Sequence, residues 1–322
     1  MSFSALAAHA PKAALEPYSY EPEPLGEHDV EIAISHCGIC HSDVHLVDGE
    51  WGDYFPLVPG HEIVGTVVAG KAFPAGTRVG VGWQCNSCGD CSYCAAGEEV
   101  LCSENQATCQ GNFGGFADRI RVDERFVFAI PDGLGSAEAA PLLCGGITVY
   151  SPLQRYFRKS SRVAVIGIGG LGHLALQFAR AMGYQVTAVS RSPEKEAEAR
   201  KHGAHEFLTG DPVPGSFDLV LNTAHAVLDM STWMAALSPK GIFCQLGAAG
   251  EPLEVPVFSL IVGQRVVTGS AIGHPSVIRD MLAFAAEHGV QAQVEVMPMD
   301  QANEALDRTR RNQARYRVVL AR

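Results

Sequence analysis

Residues 163–172 read VAVIGIGGLG, a run of β-type residues that enters a turn carrying Gly167, Gly169 and Gly172 as GxGxxG. The next residues, LGHLALQFARAMG, space their apolar side chains as a helix does. Alone, GxGxxG is weak evidence, and the strand before it and helix after it are what give it weight. The first glycine permits a tight turn, the second lets the backbone approach a pyrophosphate, and the third lets helix and strand pack closely, so that the helix N-terminus meets the anion. The competing reading is a Gly-rich strand–helix turn that binds nothing, and the context on both sides favours a dinucleotide. Candidate cofactor contacts are therefore Gly167, Gly169, Gly170, Leu171 and Gly172. Downstream the same rhythm continues through QVTAVS, PEKEAEARKHG, HEFL, FDLVLN, a helix in VLDMSTWMAALSP, then GIFCQLG and RVVTGSA. This alternation predicts βαβ units and a doubly wound parallel sheet.

Before about residue 130 the pattern is different. Short β-branched runs (DVEIAIS, IVGTVVAG, TRVGVGW, FADRIRV, RFVFAI) are separated by turn signals such as VPGH and FPAGT, which reads as a mostly-β region. The last fifty residues hold the helices SVIRDMLAFAAEHG and DQANEALDRTRR and the strands VEVMPM and YRVVLA, and read as a return to that first region. A length of 322 residues suits two domains. The expected class is α/β, with residues 1–147 and 272–322 forming a mostly-β domain and 148–271 a dinucleotide-binding domain.

Ten cysteines are unusual for such a chain, and Cys85, Cys88, Cys91, Cys94, Cys102 and Cys109 crowd into one stretch. The N-terminal residues show no export signal, so thiols are expected to stay reduced in a cytoplasmic protein, and clustering points to metal rather than disulfides. Cys88, Cys91, Cys94 and Cys102 are spaced CxxCxxCx7C, as suits a closed tetrahedral structural zinc. Cys85 and Cys109 flank the set and are not expected as ligands. A formal charge of -11 without basic blocks argues against nucleic acid as partner, and no run of eighteen apolar residues suggests a membrane span.

A second metal site would have to be assembled from distant segments. HCGICHSDVH, PGHEIVG and APLLCGGIT offer Cys40, His61 and Cys144, two thiolates and an imidazole with a fourth position open, the pattern of a catalytic zinc. On spacing alone, a lone histidine beside a glycine is more often a turn or packing residue. At the end of the second strand, where a carboxylate would hold the ribose of NAD, VTAVSRSPEK places Ser190 followed by Arg191, Ser192 and Lys195. Two hydroxyls and two cations suit a 2'-phosphate, which predicts NADP(H).

GICHSDVH, VPGHEIVGTVV, CxxCxxCx7C, PLLCGGITVYSPL, GIGGLGHLALQFARAMG, the SRS after the second strand and MDQANEALDRTRRNQARYRVVL cover nearly the whole chain in one order. Together they resemble the zinc-containing medium-chain alcohol dehydrogenases, in the branch similar to cinnamyl alcohol dehydrogenases. The resemblance implies a GroES-like catalytic domain, a Rossmann domain and two zinc ions per chain. It assigns Cys40, His61 and Cys144 to the catalytic zinc, with Glu62 behind the metal and able to approach it. Asp43 orients His61, a common device for fixing a ligand's tautomer. By the same resemblance Ser42 would bond the zinc-bound oxygen, His45 would end a proton relay that also passes the nicotinamide ribose, and His41 and Thr148 match positions near the pyrophosphate and nicotinamide. Cys37 has no ligand role in this family.

The implied reaction is hydride transfer between NADPH and an aldehyde carbonyl polarised by zinc, giving a primary alcohol. A polyol dehydrogenase on the same scaffold would be expected to carry an acidic residue at position 190. A zinc-free quinone reductase would lack Cys40, His61 and the cysteine lobe, and a non-catalytic NADPH-binding protein would carry a broken ligand set. Relative to the family, ENQATCQGNFGGFAD and GKAFPAGTRVGVG are short, so a more open pocket is expected, accepting aromatic and aliphatic aldehydes. A homodimer or homotetramer is expected, with the strand around RVVTGSA as the pairing edge.

Overall fold

The structure, a computed structural model, describes residues 2–159, 161–248 and 250–322. Contacts divide the chain into two compact units, Met1–Ile147 with Gly273–Arg322, and Thr148–Ile272.

The first unit is built on a seven-stranded sheet. Its long central strand, Asp29–Ile39, pairs antiparallel with Glu62–Ala69, with Arg119–Asp123 and with the closing strand Arg317–Ala321. The closing strand in turn lies parallel to Val294–Pro298, so the C-terminal segment completes this unit's sheet. Arg78–Val81 and Val127–Ala129 extend the other side. Alternation along these strands sends Val30, Ile32, Ile63, Val79, Val127 and Val318 into one core. The helix Pro275–His288 also belongs to this unit, with Ile278, Met281, Leu282 and Ala285 buried at helical spacing, proline in its first turn and Gly289 in the left-handed conformation behind it.

Within this β-rich region the structure places a short helix that the β-type reading did not anticipate, His41–Val47. Cys40 is its N-cap residue, and the Asp43 carboxylate three positions on takes the Cys40 amide at 2.8 Å. That reciprocal arrangement starts a helix in the middle of strand-like sequence.

The second unit carries six parallel strands in the order Glu206–Leu208, Gln185–Val189, Arg162–Ile166, Phe217–Asn222, Leu237–Gln245, Val266–Gly269. Chain order reverses beside Arg162–Ile166, the switch point at which such sheets bind ligands beyond the strands' carboxyl ends. VLDMSTWMAALSP reads as one helix, but the helix is only Met230–Ala236. Leu237 already pairs with Phe217, and the chain bulges before Ile242 rejoins Leu219, with Lys240 left-handed at φ 62°. Burial of Leu237 against this sheet overrides helical spacing. PEKEAEARKHG divides similarly, into a 3₁₀ turn Pro193–Lys195 and the helix Glu196–Lys201. Among the described residues no helix is long and apolar enough to cross a membrane.

Candidate functional site

Cys40, His61, Glu62 and Cys144 come together in the first unit from three local settings. Cys40 caps the helix His41–Val47, His61 directly precedes the strand that Glu62 begins, and Cys144 sits between a 3₁₀ turn and the helix Gly145–Arg155. One ligand atom of each lies within 4.8 Å of all the others. The Cys144 and Cys40 sulfurs are 3.9 Å apart and His61 Nε2 is 3.3 Å from Cys144 Sγ. Two thiolates on a tetrahedral ion with zinc–sulfur bonds of about 2.3 Å would stand roughly 3.8 Å apart, so the spacing fits.

The imidazole is oriented from behind. His61 Nδ1 donates to Asp43 Oδ1 at 3.0 Å, which leaves Nε2 as the lone-pair nitrogen facing the sulfurs. Asp43 is fully buried, yet Gly60 N at 2.9 Å and Cys40 N at 2.8 Å also donate to it. One carboxylate thus fixes the helix cap, the turn before His61 and the ring. Burial works against a charged His61, but the Asp43 carboxylate and Cys144 hold its pKa well above the ordinary value. The Cys144 thiol hydrogen-bonds Cys40 and holds it well below the usual thiol range, while Cys144 itself is pushed well up.

Sequence reasoning missed Arg317, on the closing strand, although that strand was legible. Arg317 is 5% exposed and its Nη2 donates to Glu62 Oε1. Glu62 Oε2 is buried without a hydrogen-bond partner among the described residues. Burial raises the Glu62 carboxyl to about 7 against the pull of the Arg317 charge. An orphaned buried oxygen beside two thiols and an imidazole is what a cation would satisfy. Arg317→Met should leave Glu62 unpaired and destabilise the chain by about 3–5 kcal/mol, read by urea unfolding.

Cys109 is near this centre rather than in the cysteine lobe, with its sulfur 3.9 Å from His61 Nδ1. Because that nitrogen's proton goes to Asp43, the Cys109 sulfur packs beside the Asp43–His61 pair without sharing that proton. Cys37 is buried, and burial pushes its thiol well up. An aromatic row also went unread. Trp83 meets the His61 ring edge-on at 4.8 Å, Trp51 meets Trp83 at 6.2 Å, and His45 stacks on Trp51 at 4.8 Å. Ser42 Oγ lies 3.6 Å from Cys40 Sγ. His45 Nδ1 donates to Glu50 Oε2 at 2.5 Å, and His45 Nε2 is buried with no partner among the described residues. His41 opens the same helix, 6.5 Å from the His45 ring.

In the lobe, Cys88, Cys91, Cys94 and Cys102 also lie within 4.8 Å of one another. Cys88 Sγ is 3.5 Å from Cys102 Sγ and 3.9 Å from Cys94 Sγ, again near tetrahedral spacing. Backbone amides of Cys94 and Glu104 point at the sulfurs of Cys91 and Cys102, which suits thiolates. Arg125 ties the lobe to the sheet, donating to Asn86 Oδ1 at 2.9 Å, Ser87 O at 3.1 Å and the Asp123 carboxylate at 2.8 Å.

The second unit holds a cavity of about 420 Å³ lined among others by Gly167, Ser190, Arg191, Ser192, Lys195 and Trp233. Gly169, Gly170 and Leu171 continue the turn into the helix Gly172–Met182. Gly167 has φ 87°, and a Cβ on Gly172 would stand 1.9 Å from Gly167 O, so packing itself dictates these two glycines. At Gly169 a Cβ would meet nothing within 4 Å, which leaves an open approach to the backbone and fits a bound pyrophosphate. Ser192 N donates to Ser190 Oγ at 3.2 Å, so the Ser190 hydroxyl keeps its proton to offer. Lys195 Nζ donates to Ile168 O at 2.8 Å, a role in the turn that its place in the sequence did not suggest. Asp229 also lines the cavity but caps the helix Met230–Ala236 through Ser231 N and Thr232 Oγ1. Thr148 lies in the helix Gly145–Arg155, where the second unit begins.

Two paired metal-ligand clusters and a Gly-rich switch-point turn define a zinc-binding, nucleotide-dependent oxidoreductase. Residues 26–132 match the alcohol dehydrogenase GroES-like domain and residues 170–287 the zinc-binding dehydrogenase family. Aldehyde reductase AdhA of Synechocystis sp. is 42% identical over 319 residues, 95% of each chain. Among solved structures, a cinnamyl alcohol dehydrogenase of Sorghum bicolor (SbCAD4) matches at 37% identity and a TM-score of 0.94, over 100% of this chain and 98% of that one. CAD from Helicobacter pylori, complexed with NADP(H), matches at 29% identity and a TM-score of 0.92 with the same coverage. The chain belongs to the zinc-containing medium-chain alcohol dehydrogenases, close to the branch of cinnamyl-alcohol-dehydrogenase-like and AdhA aldehyde reductases. It is an α/β protein with a GroES-like domain and a Rossmann-type sheet, and an oxidoreductase using zinc and a nicotinamide cofactor.

Proposed function

We propose that the chain is an NADPH-dependent aldehyde reductase, reversible as an alcohol dehydrogenase, acting on aromatic and aliphatic aldehydes. The observation that carries this reading is the Cys40, His61 and Cys144 set with its Glu62 and Asp43 supports, joined in one chain to Ser190, Arg191 and Ser192 at the cofactor cavity. Zinc bound by the first set supplies a Lewis acid for the carbonyl oxygen, and the nicotinamide carries the hydride. The remaining work belongs to the chain. Cys40 and Cys144 offset the cation's charge, Asp43 holds the His61 ring, and Arg317 holds Glu62 in reserve behind the ligands. Ser42 offers a hydroxyl beside the ligand sulfur, and His45, with Nδ1 committed to Glu50, keeps Nε2 to pass a proton outward. Trp51 and Trp83 provide flat apolar walls next to His61 that suit an aromatic or alkyl substituent. Cys88, Cys91, Cys94 and Cys102 hold a structural zinc.

The cofactor choice rests on chemistry at the strand end. A 2'-phosphate there meets the Ser190 and Ser192 hydroxyls and the Arg191 guanidinium, with no carboxylate at that position to repel it. NADP(H) also occupies the Helicobacter pylori relative. Ser190→Asp should lower kcat/KM for NADPH by about tenfold or more relative to NADH, measured by steady-state kinetics with both cofactors. Unchanged selectivity would remove the basis for NADPH. A panel of aldehydes from short aliphatic to bulky aromatic tests substrate breadth, and a preference of several orders of magnitude for one small aldehyde would contradict it.

The partner surface is read from the second unit. Val266–Gly269 is the last strand of its sheet, and the neighbouring helix Val257–Gly263 exposes Val257, Phe258, Ile261 and Val262, Val262 at 82%. An open edge beside an apolar helix face favours pairing with a second copy. Phe258→Asp should shift the species seen by sedimentation toward monomer, and an unchanged sedimentation coefficient would contradict this.

A further inference from the structure

Three side chains from three different elements converge on consecutive carbonyls of the Gly-rich turn. Thr223 Oγ1, just past the strand Phe217–Asn222, lies 2.9 Å from Gly167 O and 2.8 Å from Ile166 O, and shares its single proton between them. Lys195 Nζ, from the 3₁₀ turn after the second strand, donates to Ile168 O. His173, fully buried in the first turn of the helix Gly172–Met182, has Nδ1 2.9 Å from Gly169 O. A carbonyl can only accept, so that nitrogen carries the proton. Among the described residues no acceptor takes the amides of Gly169, Gly170 or Leu171. The carbonyl side of the turn is bonded to the protein while the amide side is left for a ligand.

We propose that Thr223 and His173, with Lys195, form a carbonyl clamp that presets the Gly-rich turn for the dinucleotide's pyrophosphate. They are positioning residues that act through the turn's backbone and need touch neither cofactor nor substrate. A glycine-rich segment has many conformations open to it, and holding one of them before the ligand arrives lowers the ordering cost of binding. The clamp also links the two ends of the cofactor cavity. Lys195 joins the segment that follows Ser190, Arg191 and Ser192 to the turn, so a ligand that orders either segment favours the bound form of the other. The inference rests on the dinucleotide reading of this cavity but is indifferent to NADPH or NADH, since the pyrophosphate is common to both.

Thr223→Val removes the hydroxyl at nearly constant volume, Thr223→Ser restores it, His173→Leu removes the ring donor, and His173→Asn returns an N–H near the place of Nδ1. Dissociation constants for NADPH and NADH are measured by quenching of intrinsic fluorescence, with kcat at saturating cofactor and thermal midpoints for each variant. The clamp predicts that T223V and H173L each weaken both cofactors by a similar factor, roughly five- to tenfold. It also predicts recovery of most of the loss in T223S and H173N, and kcat at saturation within about twofold of the parent. Lower thermal midpoints with unchanged dissociation constants in the folded variants would overturn it, as would a loss confined to one cofactor. Should T223V fail to fold, H173L decides, because it removes the ring donor to Gly169 O and unchanged affinity in it would overturn the clamp. Failure of the parent protein to bind either dinucleotide would contradict the site reading itself and is seen before any variant is made.

Discussion

Cys40→Ala is expected to reduce aldehyde turnover by roughly a thousandfold or more while changing NADPH affinity less than about threefold. The size follows from what is lost. A Lewis acid at a carbonyl oxygen supplies several kcal/mol of transition-state stabilisation, and about 4 kcal/mol corresponds to a thousandfold. Cys40 is also the N-cap residue of the helix carrying Ser42 and His45, and its backbone amide bonds the Asp43 carboxylate. Alanine keeps that amide, so the helix start and the Asp43–His61 bond are expected to persist. The Gly-rich turn proposed to bind the dinucleotide belongs to the other unit and should be unaffected. Steady-state kinetics with fluorescence titration of NADPH separates the two effects, and retained activity would rule out the ligand set.

The second large effect is expected in the cysteine lobe. Cys102 is the most buried of the four lobe cysteines, at 1% exposure, and Glu104 N is directed at its sulfur at 3.3 Å. Cys102→Ser should lower zinc content by one ion per chain and cost about 5 kcal/mol or more of unfolding free energy. Structural zinc sites are worth about 10–16 kcal/mol in isolated peptides. Part of the lobe's order survives here through Arg125 and its bonds to Asn86, Ser87 and Asp123, which is why the expected loss is smaller. Denaturant unfolding beside metal analysis checks this, and unchanged stability at one zinc fewer would show that the lobe folds without metal.

These sites differ in how far the sequence reveals them. The Gly-rich turn and CxxCxxCx7C are legible because every contributing residue lies within a few turns of chain, and the spacing itself encodes the geometry. Cys40, His61 and Cys144 are separated by about twenty and eighty residues, so spacing alone left them open and only the resemblance joined them. Arg317 was not legible, because nothing local marks an arginine on the closing strand as the partner of Glu62 across a sheet. Trp51 and Trp83 were missed for the same reason: their row with His61 exists only once strands and turns have packed. The helix His41–Val47 carried a signal, Asp43 three residues after its cap, but a cysteine at the cap position hides it. Lys195 shows a further limit: its position suggested a contact with the ligand, and it does line the cavity, but the bond of its ammonium to Ile168 O is not encoded in the local sequence.

The central claim is that one zinc, held by Cys40, His61 and Cys144, is required for aldehyde reduction. It is tested most directly by measuring zinc content and aldehyde-dependent NADPH oxidation on the same samples, before chelation, after graded chelation and after zinc is restored. The account predicts two zinc per chain at the start, activity that disappears as the first ion leaves the open site, and recovery on its return. Full turnover in protein stripped of both ions would contradict it.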